Sequence, residues 1–406
     1  MKNLETLISF DAALEKVLHE ATSFSTETKP LSQCQGYVLA QKVKADRDFP
    51  PFDRSTRDGI AIHLEINENA QGKIFSIEGI APAGTEQMEL SKSSGCIEIM
   101  TGAILPKGCN AVVMYEHLKQ DGDTFQILEE IKAGQNIHEQ GSDVRHEESV
   151  LEPNVLIGAA EIGVMATVGL SEVMVKKLPK VAVISTGNEL VAVEETPLPF
   201  QIRRSNSHSL ASLLKQEGIL AEAFHIQDDL LTIKETIQKL LQDFDVLLLS
   251  GGVSKGKYDF LPEVFDQLGV EKVFHEVLQR PGKPFWFGKQ TDAKTLVFAF
   301  PGNPVSTYVN YHLYFKPWLA KSLEQQKEGI SVFLAETIEN KTPLDLFVGV
   351  KLNYKDGQIH AIPITTTGSG DLAMLTKVDG FVRLRPRSVP YDKNELVPFS
   401  LTKPSK

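Results

Sequence analysis

The feature that most constrains the fold is a regular alternation of apolar runs and helical segments between residues 180 and 322. The runs KVAVIS, DVLLLS and TLVFAF have the apolar composition of strands that are buried on both faces of a parallel sheet. Amphipathic segments separate these runs, and the segment that starts at Ser205 ends at Gly218, a residue type that closes many helices. Strands and helices that alternate in this way predict a doubly wound α/β sheet.

Two other parts of the chain differ from this pattern. Residues 45–147 carry short β-like runs such as GIAIHL and GCIEIM between Gly, Pro and Asn, which predicts a β-rich module. After residue 328 short runs such as FVGVKLNY return, and they predict a C-terminal β-barrel or sandwich. Apolar residues at helical spacing predict one further helix at about 9–22, capped by Ser9, and another at 158–169.

The composition limits the class of protein. The 406 residues carry a formal net charge of −11, which disfavours non-specific binding to nucleic acid or to an anionic membrane. The three cysteines lack metal-ligand spacing, and this favours a reduced, cytoplasmic location. No apolar run approaches the roughly 20 residues of a membrane span, and the amino-terminal segment has no signal-peptide core. We therefore expect neither nucleic acid nor membrane as a partner.

Polar, glycine-rich loops follow three of the predicted strands, and a fourth such loop lies between the last two. Ligands bind beyond the carboxyl ends of the strands in a doubly wound sheet, so we expect these loops to line one crevice. Glycine lets the backbone approach a phosphate, hydroxyl groups donate to its oxygens, and cationic side chains attract it. The candidate ligand-binding residues in these loops are Thr186, Gly187, Gly251, Gly252, Ser254, Arg280, Lys283, Pro301, Gly302, Asn303 and Pro304.

Three carboxylates accompany these loops. Glu189, Asp228 and Asp259 offer the hard oxygen ligands that Mg²⁺ prefers, and carboxylates beside phosphates repel them unless a cation bridges the two. The residues therefore predict a magnesium site. Simpler explanations remain open, because a Gly-Gly pair is often only a turn and Asp228 beside Asp229 can simply charge a helix amino terminus.

Loops of the β-rich module are candidates for a second wall of the crevice. Asp58 ends the segment FDRSTRDG, Thr101 lies in MTGA after a predicted strand, and Asp143 lies in the segment GSDV. An Asp-Gly pair after a polar run is most often a turn, so the structural explanation is strong for each segment alone. The ten histidines form no zinc-binding motif.

The motifs FDRSTRDG, EIMTGAILPKG, ISTGNEL, SGGVSKGKYDF, PGKPFWFGK and FPGNPVS occur in this order. Together they resemble the molybdopterin molybdenumtransferase family, which includes the MoeA-type proteins and the gephyrin E domain. The resemblance covers nearly the whole chain and is weakest in the C-terminal part. SGGVS and PGNPVS are shared with the related molybdopterin adenylyltransferases, whereas the FD…DG and MTGA motifs separate the two groups.

The resemblance implies an enzyme of molybdenum cofactor biosynthesis. Such an enzyme takes adenylylated molybdopterin and molybdate, uses Mg²⁺, releases AMP and yields the cofactor. The family is homodimeric, with a site between the α/β domain of one subunit and the β-rich module of the other. The implied protein partners are a molybdopterin adenylyltransferase and acceptor molybdoenzymes. The implied domains are a linking domain at 26–44 and 148–177, a β-rich domain at 45–147, a molybdopterin-binding α/β domain at 1–25 and 178–327, and a C-terminal β-barrel-like domain at 328–406.

Matched motif by motif, the resemblance assigns roles to individual residues. The implied magnesium ligands are Glu189, Asp228 and Asp259. Ser369, in the polar segment TGSGD, resembles an anion contact, although a surface turn is an alternative. The implied catalytic residues are Asp58, Thr101, Asp143, Glu189 and Asp259.

The chain departs from the family pattern at a few positions. Arg54 and Arg57 replace the Asn and Met of the usual FDNSAMDG, and Arg280 replaces a Lys while keeping its charge. An Arg that is common in the C-terminal domain is Val348 here, which leaves open whether Lys351 or Arg383 supplies that charge to the anion site.

Two alternatives to the molybdenum-inserting enzyme belong to other functional classes. The first is a non-catalytic, gephyrin-like scaffold or cofactor carrier, which is expected to carry a long linker or a fused domain that this sequence lacks. The second is an adenylyltransferase, a reaction for which the α/β domain alone suffices, and the additional β-rich regions argue against it.

Overall fold

The computed structural model describes residues 7–65, 68–253, 260–292, 294–325 and 329–403. The predicted site residues Ser254 and Asp259 lie outside the described residues. The α-helices are α1 (Phe10–His19), α2 (Ala159–Thr167), α3 (Ser205–Gln216), α4 (Leu230–Asp243), α5 (Leu261–Gln267), α6 (Pro304–Asn310) and α7 (Lys316–Ser322). A π-helical turn at Tyr311–Phe315 joins α6 and α7, and 3₁₀ turns lie at Leu31–Gln33, Tyr115–His117 and Leu372–Thr376.

The strands are short in the first half of the chain and longer in the second. They are β1 (Thr26–Pro30), β2 (Val43–Lys44), β3 (Arg54–Ser55), β4 (Gly59–Ile62), β5 (Ile74–Ala81), β6 (Gly95–Ile99), β7 (Ala111–Met114), β8 (Leu118–Asp121), β9 (Thr124–Ile127), β10 (Ile137–His138), β11 (Ser149–Leu151), β12 (Glu172–Lys176), β13 (Val181–Thr186), β14 (Leu190–Val191), β15 (Ile202–Arg203), β16 (Glu222–Ile226), β17 (Val246–Ser250), β18 (Val270–His275), β19 (Gln279–Arg280), β20 (Trp286–Gln290), β21 (Thr295–Phe300), β22 (Ile330–Leu334), β23 (Asp345–Lys355), β24 (Gln358–Pro363), β25 (Gly380–Leu384) and β26 (Leu396–Leu401).

The chain divides into two compact units. The first, which we call the sheet–barrel unit, comprises Met1–Glu27, Gly36–Val38 and Val175–Lys406. The second, the β-module unit, comprises Thr28–Gln35 and Leu39–Met174. The four-domain boundaries stay a prediction.

A six-stranded sheet in the order β16-β13-β17-β21-β20-β18 forms the centre of the sheet–barrel unit. The first four strands run parallel, β20 pairs antiparallel with β21, and β18 pairs antiparallel with β20, so β18 has the direction of the first four. Every residue of β13, β17 and β21 is buried, as expected of continuous apolar runs. The strand β20 was missing from the sequence-based prediction.

Helices cover both faces of this sheet. Alternate residues of each central strand face opposite ways, so Val183 packs with Leu210 of α3 and Val309 of α6, whereas Ile184 packs in a second cluster with α4 and α5. This arrangement confirms the predicted doubly wound α/β domain. The helix α1, capped by the Ser9 hydroxyl at 3.3 Å from the amide nitrogen of Ala12, joins the first cluster.

The C-terminal strands close into a barrel. The strand β23 pairs with β24 and β25, β26 pairs with β25 and β22, and β22 completes the ring by pairing with β24. The short strand β19 adds to β23 in parallel from outside the ring of five. The predicted barrel-like C-terminal domain is therefore confirmed.

The β-module unit contains its own six-stranded sheet in the order β7-β4-β6-β5-β9-β8. Only β5 and β6 pair in parallel within that sheet. Ile60 and Ala61, which are neighbours in β4, belong to separate apolar clusters, so both faces of the sheet are covered. Outside this sheet, β3 pairs with β10, and this places Arg54 opposite His138.

Among the described residues, no helix combines the length and the apolar character needed to span a bilayer.

Candidate active site

A cavity of about 450 Å³ lies beyond the carboxyl ends of β13, β17 and β21. We call it the strand-end cavity. The loops that follow the three strands all contribute to its wall, together with the amino end of α3. Among the predicted site residues, the structure brings together here Thr186, Glu189, Gly251, Gly252, Pro301, Gly302, Asn303 and Pro304.

Three polar atoms in this wall are left without a partner by the residues that the structure describes. The hydroxyl oxygens of Ser185 and Thr186 and the Nε of Arg204 are buried, yet none has a hydrogen-bond partner within the described part of the chain. Ser185 and Thr186 are only 3% and 5% exposed. An unsatisfied buried polar group costs about 1–3 kcal/mol, so a cavity that collects three of them is built for a polar ligand.

Two glycines leave room beside polar groups of this cavity. Gly252 has a φ of +70°, and a Cβ there would lie 2.8 Å from the Thr186 hydroxyl oxygen. Gly187 has a φ of +139°, and a Cβ there would collide with the carboxylate of Glu189. Larger residues at either position would strain the backbone and displace a polar group of the site.

Asn206 joins the loops to one another. Its Nδ2 donates to the Ser250 hydroxyl at 2.8 Å and to the carbonyl oxygen of Gly302 at 2.7 Å. One side chain of α3 therefore fixes the ends of two strands. Asn206 and Arg204 were both missed from the sequence, because Ser and Asn at a helix start indicate capping and nothing marks the residue before them.

The two predicted metal ligands that are described lie near each other. Glu189 is in the cavity wall, and Asp228 accepts a hydrogen bond at 3.2 Å from the backbone N–H of Asn188 next to it. The adjacent Asp229 caps α4 through the backbone N–H of Thr232, a hydrogen bond that lowers the pKa of its carboxyl. No group of three metal-ligating side chains occurs in the described ranges, which exclude Asp259.

A second cavity of about 470 Å³ adjoins the first. We call it the barrel cavity, since the proline-rich loop after β19 forms one wall and the barrel the other. Arg280 and Lys283 give the first side its cationic groups, the barrel contributes apolar side chains such as Val348, and the segment after β24 contributes Ser369. The two cavities share Pro284, Pro301 and Asn303.

Neither Lys351 nor Arg383 brings a positive charge to the barrel cavity in place of the Arg that Val348 replaces. The Arg383 guanidinium donates through Nε to Asp345 at 2.8 Å and through its terminal nitrogens to Asp11 at 2.6 and 2.9 Å. Neither Arg383 nor Lys351 belongs to the wall of the barrel cavity. The cationic groups in that wall are therefore those of Arg280 and Lys283.

A buried polar network supports the loop that carries these two cations. The Nε2 of Gln279 donates to the Pro281 carbonyl at 2.9 Å and to the Asn310 Oδ1 at 2.8 Å, and the Tyr314 hydroxyl donates to Gln279. Asn310 in turn donates to the carbonyl oxygen of Gly282 at 3.2 Å. Because Gln279 and Asn310 are fully buried, they hold the loop in one conformation.

In the β-module unit the predicted residues Asp58 and Thr101 contact each other, whereas the predicted Asp143 contacts His138, which the sequence did not indicate. The Thr101 backbone N–H and hydroxyl donate to the Asp58 carboxylate at 2.6 and 2.8 Å, and these bonds lower the pKa of Asp58. His138 lies 3.0 Å from the Asp143 carboxylate and 3.2 Å from the Arg54 guanidinium. A guanidinium can only donate, so His138 accepts at Nδ1 and donates from Nε2 to Asp143.

Comparison with known proteins identifies the family. Residues 8–169 match the MoeA N-terminal region (domain I and II), and residues 182–321 match a probable molybdopterin binding domain. The molybdopterin molybdenumtransferase of Synechocystis sp. is 35% identical over 97% of this chain and 99% of its own length, and that of Staphylococcus epidermidis is 30% identical over 98% and 96%.

Solved structures agree with this assignment. The crystal structure of the molybdopterin biosynthesis MoeA protein from Pyrococcus horikoshii OT3 is 29% identical, covers 97% of this chain and 100% of its own, and superposes with a TM-score of 0.82. The chain therefore belongs to the molybdopterin molybdenumtransferase family.

Proposed function

We propose that this protein inserts molybdate into adenylylated molybdopterin in a Mg²⁺-dependent reaction that releases AMP. The observation that carries the proposal is the pair of adjoining cavities. One presents glycine backbone and hydroxyls that have no partner in the described part of the chain, which suit a phosphate, and the other presents two cations, which suit a tetrahedral oxyanion.

The residues of the strand-end cavity bind and orient the pyrophosphate of the substrate. Thr186 and Ser185 donate hydroxyl hydrogens, and the glycines at 251 and 252 let the chain approach the phosphate closely. Holding the reacting groups in place provides most of the catalysis in transfers of this kind.

Glu189 and Asp228, together with Asp259, would hold Mg²⁺ beside this phosphate. The donor set fits the ion, because all three are hard oxygen ligands and Glu189 lies in the cavity wall. When bound, Mg²⁺ would neutralise the charge that develops on the leaving phosphate.

Arg280 and Lys283 attract molybdate into the barrel cavity, and Ser369 adds a hydroxyl to its wall. The Ser369 hydroxyl accepts a hydrogen bond at 2.9 Å from Asn303, which also belongs to the strand-end cavity. The shared wall would therefore keep the oxyanion next to the pterin-linked phosphate.

The assembly is also part of the proposal. The protein acts as a cytoplasmic homodimer in which Asp58, Thr101 and Asp143 of one subunit complete the site of the other. Its partners are a molybdopterin adenylyltransferase, which supplies the substrate, and the molybdoenzymes that accept the cofactor. The organised carboxylate of Asp58 and the three free, buried cysteines support these points.

The full chain with adenylylated molybdopterin, molybdate and Mg²⁺ should release AMP and yield cofactor that activates an apo-molybdoenzyme. Glu189→Gln should abolish AMP release, whereas Glu194→Gln, an equal charge change at an exposed position just beyond β14, should not. Equal AMP release with and without Mg²⁺ would overturn the proposed reaction.

A scaffold or cofactor carrier predicts a different result. In cells that lack the enzyme, a scaffold with Glu189→Gln should restore molybdoenzyme activity as well as the unaltered chain does. Loss of that restoration, with normal amounts of protein, excludes the scaffold.

A further inference from the structure

Two adjacent arginines precede α3 and differ in their contacts. The Nε of Arg203 donates to the carbonyl oxygens of Val193 at 2.9 Å and Glu195 at 3.1 Å, so this side chain braces a loop. Arg204 makes no such contact. Its Nε is buried in the wall of the strand-end cavity, and no hydrogen bond or ion pair to its side chain occurs among the described residues.

The amino end of α3 faces the same cavity. Arg204 is the residue before the helix, no side chain caps the first turn, and that turn contains no acidic residue. The first backbone N–H groups of a helix lack partners within it, and its dipole places partial positive charge there. Since α3 has 12 residues, that dipole is well developed.

An independent observation points to a ligand at this place. Ser185 and Thr186 belong to the cavity wall and are both more than nine-tenths buried, and their hydroxyls have no partners within the described ranges. A buried Nε–H of an arginine without an acceptor is unfavourable, as is a buried hydroxyl without one. One oxyanion with several acceptor oxygens would satisfy all three side chains.

We propose that the amino end of α3 is a phosphate subsite in which Arg204 binds the phosphate that leaves with the nucleoside. This inference rests on the proposed function for the identity of the ligand. The ligand class is a phosphate ester, first the adenylylated substrate and then AMP. Arg204 is a binding residue that favours a phosphorylated ligand over the bare nucleoside, because it contacts only the phosphate.

The test is calorimetric titration of the full chain with AMP and with adenosine, in the presence of Mg²⁺. Arg204→Gln should weaken AMP binding about tenfold or more, since a charge-assisted bond is lost, and should leave adenosine binding unchanged. Lys215→Gln removes the same charge from the exposed far end of α3 and should leave both affinities unchanged. Arg204→Lys should fall between Arg204→Gln and the wild-type protein.

Several results would overturn the inference. The first is an unchanged affinity of Arg204→Gln for AMP. The second is a loss of adenosine affinity equal to the loss of AMP affinity in Arg204→Gln, because that would indicate a packing role. The third is an absence of AMP binding to the wild-type protein. The proposed function fails separately. If the wild-type protein binds AMP through Arg204 but releases none from adenylylated molybdopterin, the subsite stands and the reaction does not.

Discussion

The strand-end cavity and the barrel cavity have nearly the same volume, about 450 and 470 Å³, and share three wall residues. Their walls nevertheless differ. The first is made of loops after buried strands, and three of its buried polar atoms have no partners in the described chain. The second has two cations on a loop that a satisfied polar network holds from beneath, facing an apolar barrel wall. In one cavity the protein leaves bonds for the ligand to make, and in the other it fixes charges in advance.

The largest effect is expected from Asn310→Ala, which breaks the network under the barrel cavity. It leaves the Gly282 carbonyl without the donor it has from Asn310 and removes one of the two acceptors of the Gln279 Nε2, which should lower the free energy of unfolding by about 2–3 kcal/mol. Urea unfolding measures this loss. The KM for molybdate should rise while AMP affinity changes less than about twofold. An equal loss for both ligands would show that the two cavities are not separable.

Substitutions of two threonines, Thr295 and Thr186, test whether the polar groups of the strand-end cavity are left for a ligand. Thr295→Val should lower the free energy of unfolding by about 1–2 kcal/mol, since its buried hydroxyl donates to the carbonyl oxygens of Leu241 and Phe244. Thr186→Val removes a hydroxyl that has no partner in the described residues, so it should leave stability unchanged or raise it by up to about 1 kcal/mol. AMP affinity should fall only in Thr186→Val. Equal destabilisation by both changes would contradict the view that the Thr186 hydroxyl is reserved for a ligand.

Val348→Arg sharpens the comparison by giving the barrel cavity a cation on its apolar side. We expect the KM for molybdate to fall about threefold to tenfold, with AMP affinity unaffected. Lys351→Ala is the control, because Lys351 lies outside the wall and its loss should change neither value. A higher KM in Val348→Arg would mean that the apolar wall itself contacts the ligand.

The smallest effect is expected from Asp11→Asn, which weakens the anchor between α1 and the barrel. The hydrogen bonds from Arg383 lower the pKa of Asp11 in the folded protein. Because the pKa of Asp11 is lower in the folded than in the unfolded protein, its ionised carboxylate stabilises the fold at pH values above the unfolded pKa of about 3.9. That stabilisation is lost as the pH falls through the pKa of the folded protein. Since Asp11 is more than half exposed, the change at pH 7 should be below about 1 kcal/mol. Hydrogen exchange in the barrel strands should speed up below pH 4 in the wild-type protein, and Asp11→Asn should reduce that pH dependence.

Much of the fold could be predicted because the central strands are continuous apolar runs between helical segments. Several strands could not, among them β20 and β26. In β20, Gly288 interrupts the strand pattern, and a Cβ there would collide with the Trp286 ring, a contact that no local pattern reveals. In β26, Pro398 argues against a strand, because it cannot donate to a ladder.

The strand-end loops of the candidate site could be predicted from one general rule, that ligands bind beyond the carboxyl ends of parallel strands. The supporting residues could not. Gln279 and Asn310 meet across 31 positions of sequence, and Asn206 reaches Gly302 across 96. Such pairs depend on packing of the whole unit. Arg204 is recognisable only after the contacts of every neighbouring group are known.

The shared wall has a consequence for how such a protein can diverge. Pro284, Pro301 and Asn303 belong to both cavities, so any substitution there changes two ligand sites at once. Val348 belongs to the barrel cavity alone. We therefore expect inherited changes in oxyanion preference to accumulate in the barrel strands, where one site can vary while the nucleotide site stays intact.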